Sequence, residues 1–213
     1  MDYTQFKHKF QNLPVIMSRD LERFFDNPQI MRNQLSRWQR KGLVVALRRG
    51  MYLLNFKDRE IHPDAGFLAN QLYGPSYVSL ESALNYYGLI PERVAMVSSV
   101  TTKKTMRFEN AEGDFIYQHI KPQAFQGFTA VRTENGLSLF MAEAEKAVID
   151  FLYLNLKQFK NDAWDVLKES HRFQNYEKLN FQKMKVLAAL FSNPKLMGAV
   201  DSLRVPIKTK RSG

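Results

Sequence analysis

The apolar positions near the start of the chain recur every three or four residues, which is the spacing of helices that pack on a core. Tyr3, Phe6 and Phe10 predict a short first helix on this basis. Ser18 favours the N-cap of a second helix over residues 19–25, whose apolar side chains form one stripe. The pattern therefore predicts two short helices in the first part of the chain.

A third helix is predicted next, because both of its ends carry clear signals. Asn27 is a favoured N-cap residue, Pro28 suits the first helical position, and Gly42 suits the residue after the helix. Residues 43–54 then form two β-prone runs, and Gly50 between them can adopt the positive φ of a tight hairpin turn. Three helices followed by a hairpin predict a winged helix-turn-helix.

The rest of the chain predicts an α+β domain over residues 64–206, joined by a polar linker to the winged helix-turn-helix at 1–57. Residues 94–140 contain short β-prone runs divided by Gly and Pro, which predict an antiparallel sheet. Helical spacing on either side predicts helices that flank the sheet and a helical C-terminus. Residues 207–213 are basic and predict a disordered tail.

The positive charge of the chain is unevenly distributed. The 213 residues carry a formal net charge of +10 at pH 7. Residues 1–57 hold eleven Lys and Arg against four acids, a net +7, while residues 207–213 add +3 and residues 58–206 sum to zero. A polyanion responds to a local patch more than to the total charge, so this division favours a polyanion-binding module joined to a neutral body.

Composition also excludes several classes of protein. The absence of Cys rules out disulfides, thiolate metal sites and a cysteine nucleophile, and it suits a reducing cytoplasm. No run reaches the roughly 18 apolar residues of a membrane span, and the N-terminus lacks the pattern of a signal peptide. We therefore expect a soluble, cytoplasmic globular protein with no membrane partner.

Motifs for cofactors and catalysis do not occur in the sequence either. His8, His62, His119 and His171 are too dispersed to indicate a metal site. The glycine-rich motifs that bind nucleotide phosphates are absent, and nothing marks a Ser-His-Asp triad. We expect no cofactor and no metal, and we do not expect an enzyme.

The third helix separates into an apolar and a polar side when successive residues are placed about 100° apart. Met31, Leu35 and Trp38 fall together on one side, which predicts contact with a core. The other side carries amide and guanidinium groups that match base edges in the major groove as well as phosphates. The N-terminal part of a recognition helix lies deepest in the groove. The candidates for base reading are therefore Gln29, Arg32, Asn33, Ser36 and Arg37.

Phosphate contacts are assigned to the basic residues that follow. Arg40 and Lys41 end the helix, while Arg48 and Arg49 at the hairpin tip can reach the DNA backbone or the adjacent minor groove. The alternative interpretation is a solvated basic surface, because Arg and Lys are common on surfaces. Against it stands the absence of any acid from residue 27 to residue 57. The stretch therefore favours binding to double-stranded DNA.

Four separated segments carry a resemblance to a known family. They are QLSRWQRKGLVVALRRGMYLL, LANQLYGPSYVSLESALNYYGLIPE, SSVTTKKTMRF and MAEAEKAVIDFLYL. The first looks like the N-terminal winged helix of the AbiEi-type antitoxins of abortive-infection toxin-antitoxin systems, and the others are similar to that family's second domain. The resemblance extends to about residue 156 and is less clear in the C-terminal helices.

The resemblance implies a type IV antitoxin, encoded in a bacterium or archaeon beside a nucleotidyltransferase-type toxin. Its winged helix would repress the shared promoter by binding inverted repeats, as a homodimer or as two monomers that meet on DNA. Its second domain would counteract the toxin without necessarily touching it. The alternatives are a solitary ligand-responsive regulator and a nucleic-acid-processing enzyme that the winged helix positions.

Three further motifs each allow two interpretations. Lys103, Lys104 and Arg107 form a candidate second-domain surface for nucleic acid or the toxin, or they are simply solvated. The charges of AEAEKAVID suggest a nuclease site, but they do not match the metal-dependent nuclease pattern, so we predict a solvated helix face. In PSYVSLESALNYYG, we predict Ser79 as an N-cap and tyrosine hydroxyls at the rim of the core, rather than a functional surface.

Overall fold

The computed structural model describes residues 1–25, 27–92, 95–157 and 163–204, and they form a mixed α+β fold. The helices in these ranges are α1 (Tyr3–Phe10), α2 (Ser18–Leu21), α3 (Pro28–Arg40), α4 (Ala65–Leu72), α5 (Leu80–Tyr86), α6 (Ala144–Leu154), α7 (Ala163–Ser170), α8 (Phe181–Ala189) and α9 (Pro194–Ser202). The strands are β1 (Ile16–Met17), β2 (Val44–Arg48), β3 (Met51–Leu54), β4 (Ser76–Val78), β5 (Met96–Thr101), β6 (Met106–Asn110), β7 (Gly113–His119), β8 (Phe128–Arg132) and β9 (Ser138–Ala142).

Three helices and a small sheet enclose a core of their own in residues 1–57, here called the N-terminal unit. Strand β3 lies between β1 and β2, and both pairs are antiparallel. Trp38 of α3 packs against Phe6 of α1, with ring centroids 4.6 Å apart. Gly50 has the positive φ of 79° that the hairpin turn requires. The first helix, the third helix and the hairpin are therefore confirmed.

The second helix is shorter than predicted. Strand β1 precedes it directly, and the backbone N–H of Ser18 donates to the carbonyl of Gly50 at 2.9 Å. This bond binds Ser18 to the hairpin, so Met17 takes the N-cap position and Asp20 accepts from its backbone N–H at 2.8 Å. After Leu21 the chain tightens into a 3-10 turn, Glu22–Phe24. The predicted second helix is therefore confirmed only over its first turn and ends before residue 25, and the prediction of Ser18 as its N-cap was wrong.

A six-stranded sheet forms the centre of the second unit, which comprises residues 64–204. Its strand order is β6-β7-β5-β4-β9-β8. The β5–β7 and β4–β9 pairs are parallel, and the remaining pairs are antiparallel. The sheet is therefore mixed, and the prediction of an antiparallel sheet is confirmed only in part. Alternating apolar positions indicate where strands lie, but the pairing of distant strands depends on tertiary packing.

Helix α6 lies in the interior of the second unit, in contact with α5, α8, α9 and β9. Its residues from 145 to 152 are all buried. Across the described ranges, each helix is either too short or too polar to cross a lipid bilayer. The basic tail predicted for residues 207–213 lies outside the described residues.

The two units share a buried junction. Leu47, Met51 and Leu53 of the hairpin belong to the large hydrophobic cluster of the second unit. Arg59, in the segment predicted as a polar linker, is 8% exposed and donates two hydrogen bonds at 3.1 Å to one carboxylate oxygen of Glu112. An arginine buried in this way requires an opposite charge, so this ion pair helps to hold the hairpin side against the second unit.

Replacing Glu112 with Gln is expected to lower the free energy of unfolding by about 1–3 kcal/mol. The amide keeps the volume of the side chain but removes the charge that offsets Arg59. Urea denaturation followed by circular dichroism measures the change. Glu109→Gln is the matched control, because Glu109 is largely exposed and lies 3.9 Å from Arg107. Equal effects of the two substitutions would contradict a role for the Arg59–Glu112 pair.

Candidate nucleic-acid interface

Helix α3 has the start, the end and the buried stripe that its sequence predicts. The side chain of Asn27 accepts from the backbone N–H of Gln29 at 2.8 Å, and Pro28 occupies the first turn. After the helix, Gly42 has a φ of 67°. The buried residues of the helix are Met31, Leu35 and Trp38.

The opposite face of α3 points away from the core, and its polar residues are exposed. Gln29 joins two of its neighbours, because its amide donates to Asn33 at 3.0 Å and accepts from Arg32 at 2.8 Å. These bonds lie along the helix surface and fix the side chains relative to one another. The exposed candidates on this helix and directly after it are Gln29, Arg32, Asn33, Ser36, Arg37, Arg40 and Lys41.

The cations of this face are not used in ion pairs with the rest of the described chain. No carboxylate in the described ranges lies within ion-pair distance of the four basic candidates at the helix and its end. By contrast, Lys7 of α1 pairs with Asp58 at 2.7 Å. The charge on the α3 face therefore remains available to an external anion. The four are Arg32, Arg37, Arg40 and Lys41.

The helix and its end thus contribute four basic candidates, Arg32, Arg37, Arg40 and Lys41, and the hairpin contributes Arg48 and Arg49. All six side chains are exposed. The hairpin pair, like the helix group, has no carboxylate partner within ion-pair distance among the described residues. Both groups therefore keep their charge available, which is the property that phosphate contacts require.

One exposed residue of α3 was not among the candidates from sequence. Ile30 is 55% exposed, and its position places it beside Asn33 and Arg37 on the polar face. Burying this side chain against a partner would be favourable, because its apolar surface is otherwise in contact with water. The signal in the sequence was a β-branched apolar residue that falls outside the stripe of Met31, Leu35 and Trp38.

The tip of the hairpin lies against the second unit and does not project freely into solvent. Leu47, directly before Arg48, is buried in the large core, and its carbonyl accepts from the side chain of Asn110 at 3.1 Å. Arg48 and Arg49 line a cavity together with Lys103. The structure therefore brings the hairpin arginines beside one residue of the second-domain candidates.

The three second-domain candidates have different surroundings. All three side chains are exposed, but Lys103 lines the cavity beside the hairpin and Lys104 does not. Arg107 pairs with Asp114 at 3.0 Å, so its charge is partly offset. These differences divide the predicted surface, and Lys103 is the member that joins the hairpin arginines.

Three of the four charged residues of AEAEKAVID, Glu145, Lys146 and Asp150, are buried, so the prediction of a solvated helix face was wrong. Lys146 and Asp150 have no exposed side-chain surface, and the Lys146 ammonium contacts the Asp150 carboxylate at 2.5 Å. The other oxygen of Asp150 accepts from the hydroxyls of Tyr77 and Ser79, each at 2.9 Å. Burial raises the pKa of Asp150 and lowers the pKa of Lys146, while the attraction between them opposes both shifts.

This buried polar network holds the turn between β4 and α5. Ser79 stands at the N-cap position, but its hydroxyl makes no capping bond and donates to Asp150 instead. The following residue, Leu80, has a φ of 54°, which is strained for a bulky side chain. Ser98 donates to the carbonyl of Ser79 at 3.0 Å and fixes the turn from the other side. The predicted capping bond and the hydroxyl of Tyr77 at the rim were therefore wrong.

Metal ligands are not grouped in the described residues. No set of three or more His, Asp or Glu in those ranges is placed to hold a metal ion. The pair of Lys146 and Asp150 is closed to solvent, so a substrate in water has no direct contact with either side chain. The exposed face of α3 and the hairpin turn, by contrast, present basic side chains to solvent.

No protein-family model matches the chain, and no curated protein matches it. Support for a function therefore comes from the side chains described above and from the resemblance in the sequence. The resemblance to the AbiEi-type antitoxins stays a prediction from the sequence.

Proposed function

We propose that the chain is a sequence-specific DNA-binding transcriptional repressor whose N-terminal unit is a winged helix-turn-helix. In this proposal α3 is the recognition helix, and the β2–β3 hairpin is the wing. The major groove of B-DNA admits one α-helix, and a hairpin beside that helix meets the sugar-phosphate backbone. The order of three helices and a hairpin in the N-terminal unit fits this arrangement.

The observation that carries the proposal is the exposed face of α3. Asn33 offers an amide, which pairs with adenine, and Arg37 offers a guanidinium group, which pairs with guanine. Both side chains lie opposite a stripe that is fully used in packing, so the helix has a fixed orientation relative to the core. On a basic surface that contacts only water, nothing requires amide and guanidinium groups to lie together on the face opposite a buried stripe.

The basic residues around this face add contacts that do not depend on base sequence. Arg40 and Lys41 end the helix, and together with the other basic candidates they reach roughly five or six phosphates. Each phosphate contact releases counterions, so the binding constant falls steeply as the salt concentration rises. This term supplies affinity, while the amide and guanidinium contacts supply the sequence preference.

Selection from a pool of random-sequence DNA duplexes tests the DNA-binding proposal. The purified full chain is incubated with the pool at physiological salt, and bound duplexes are recovered and sequenced. We expect enrichment of a defined motif, with inverted repeats if two copies bind together. A pool that stays random after repeated rounds, together with no binding at low salt, would overturn the proposal.

The proposal extends to an antitoxin role, which is supported by the resemblance in both units. The chain would repress its own operon and neutralise a nucleotidyltransferase-type toxin encoded next to it. Co-expression of the two genes tests this role through the growth of the host. We expect the chain to restore growth. Failure to restore growth, with both proteins expressed, would overturn the antitoxin role and leave the DNA-binding proposal intact.

Ile30 is expected to recognise the methyl group of thymine. Replacing thymine with uracil in the selected duplex removes only that methyl group, and we expect binding to weaken about threefold to fourfold. Ile30→Ala should bind the two duplexes equally, because it no longer reaches the methyl position. Fluorescence anisotropy with both duplexes measures the ratio. The same preference for thymine in Ile30→Ala would show that another residue makes the contact.

A further inference from the structure

A cavity of about 380 Å³ lies where the hairpin turn meets the second unit. Arg48 and Arg49 line it from the hairpin side, and Lys103, Tyr73 and Phe108 line it from the other side. Pockets that bind small molecules begin at roughly 300 Å³. The cavity is therefore large enough for a small ligand or for part of a larger one.

The hairpin side of the cavity is held in place at both ends of its turn. Before Arg48, the carbonyl of Leu47 accepts from Asn110 of the second unit at 3.1 Å. After Arg49, the carbonyl of Gly50 accepts from the backbone N–H of Ser18 at 2.9 Å. The backbone of both arginines is thus fixed between two anchors, which lowers the entropy lost when a ligand binds.

The lysine on the other side is also held by its backbone. The N–H of Lys103 donates to the hydroxyl of Thr101 at 3.1 Å, and its carbonyl lies 3.0 Å from the ring nitrogen Nδ1 of His119. The ammonium group donates to the carbonyl of Gly74 and lies 5.3 Å from the centre of the Tyr73 ring. An ammonium group has three donors, so donors remain for a ligand.

The charges that line the cavity are all positive. None of its lining residues is an acid, and the three cations have no carboxylate within ion-pair distance in the described ranges. Three like charges around one space repel each other, and an anion in the cavity relieves that repulsion. Guanidinium groups beside an ammonium group match the oxygens of a phosphoryl group.

We propose that this cavity binds phosphate esters through their phosphoryl oxygens, which contact Arg48, Arg49 and Lys103. A free phosphorylated molecule and the backbone of duplex DNA offer the same chemistry. A free ester would bridge the hairpin and the second unit, and so couple the proposed wing to the rest of the chain. A backbone phosphate would extend the DNA interface to the second unit, and this case rests on the proposed DNA-binding function.

Two probes, each titrated with the whole chain, distinguish a free phosphate ester from a phosphate of the DNA backbone. Adenosine monophosphate is titrated by calorimetry, and a random-sequence duplex is titrated at low salt by fluorescence anisotropy. Lys103→Gln removes one lining charge without altering the proposed reading face, and we expect roughly tenfold weaker binding of the probe that fills the cavity. Lys104→Gln is the matched control, because Lys104 is exposed, adjacent in sequence and not part of the lining.

If Lys103→Gln weakens monophosphate binding and Lys104→Gln does not, the result supports a free ester. If Lys103→Gln alone weakens duplex binding and monophosphate binding is unchanged, the result supports a backbone phosphate. Equal effects of the two variants on both probes would overturn the proposal, because the binding would then follow total charge. Duplex binding that is unchanged by Lys103→Gln, with no binding of the monophosphate, also overturns it but leaves the proposed function intact. Absence of duplex binding overturns the proposed function, while the monophosphate still tests the cavity.

Discussion

Replacing Asp150 with Asn is expected to lower the free energy of unfolding by about 3–5 kcal/mol, because it leaves the charge of Lys146 buried without a partner. Both side chains have no exposed surface, so water cannot replace the lost carboxylate. The amide can still accept from Tyr77 and Ser79, so the loss reports the missing charge more than broken hydroxyl contacts. Urea denaturation followed by circular dichroism measures the difference.

The double variant Lys146→Met with Asp150→Asn is the control for this result. It removes the buried positive charge as well, and Met fills the space of the lysine chain with apolar atoms. We expect it to recover a large part of the stability that Asp150→Asn loses, since paired buried charges add little net stability. A single variant within about 1 kcal/mol of the original chain would contradict a charged Lys146–Asp150 pair.

Replacing Arg37 with Ala is expected to weaken binding to the selected duplex by about tenfold at physiological salt. The residue lies on the exposed face of α3, and it has no carboxylate partner within ion-pair distance in the described part of the chain. If Arg37 contacts a base, the loss is specific to the selected sequence. If it contacts a phosphate, the loss of affinity is the same for all sequences. The slope of the logarithm of the binding constant against the logarithm of the salt concentration then becomes smaller by about one.

Arg132→Ala is the matched control for Arg37→Ala. Arg132 is exposed on β8 in the second unit, and its removal changes the net charge of the chain by the same amount. We expect it to leave the affinity for the selected duplex nearly unchanged. Anisotropy titrations at several salt concentrations measure both variants. A similar loss in the two variants would mean that binding depends on total charge and not on the α3 face.

The helix that carries the candidate site could be predicted from the sequence because its signals are local. The N-cap at Asn27, the proline after it and Gly42 at the end depend on neighbouring residues alone. The stripe of Met31, Leu35 and Trp38 is set by helical spacing. Local signals of this kind require no knowledge of the rest of the fold.

The burial of α6 could not be predicted in the same way. Its charges fall at positions that are usually solvated, because Lys and Asp are rarely fully buried. That α6 is buried becomes clear only from its contacts with the neighbouring helices α5, α8 and α9. One signal was present: around the helix Ile149 lies between Glu145 and Lys146, and an apolar residue on a charged face indicates a helix that is covered all round.

The cavity beside the hairpin depends on contacts between distant parts of the chain. Arg48 and Lys103 were predicted to lie on separate surfaces. Nothing in the sequence indicates that the hairpin contacts β6 or the residues just before it, which include Lys103. The buried Leu47 and the bond from Asn110 bring the two regions together. Non-local packing of this kind also decided the mixed sheet, where local patterns gave the strands but not their partners.

We propose that the exposed face of α3 reads DNA sequence. Repeating the selection with Gln29, Asn33, Ser36 and Arg37 all replaced by Ala tests it directly, because alanine keeps the helix and the buried stripe. A melting temperature close to that of the original chain shows that the fold is kept. We expect this variant to enrich no motif, or a different one. Enrichment of the original motif by the folded variant would contradict the claim.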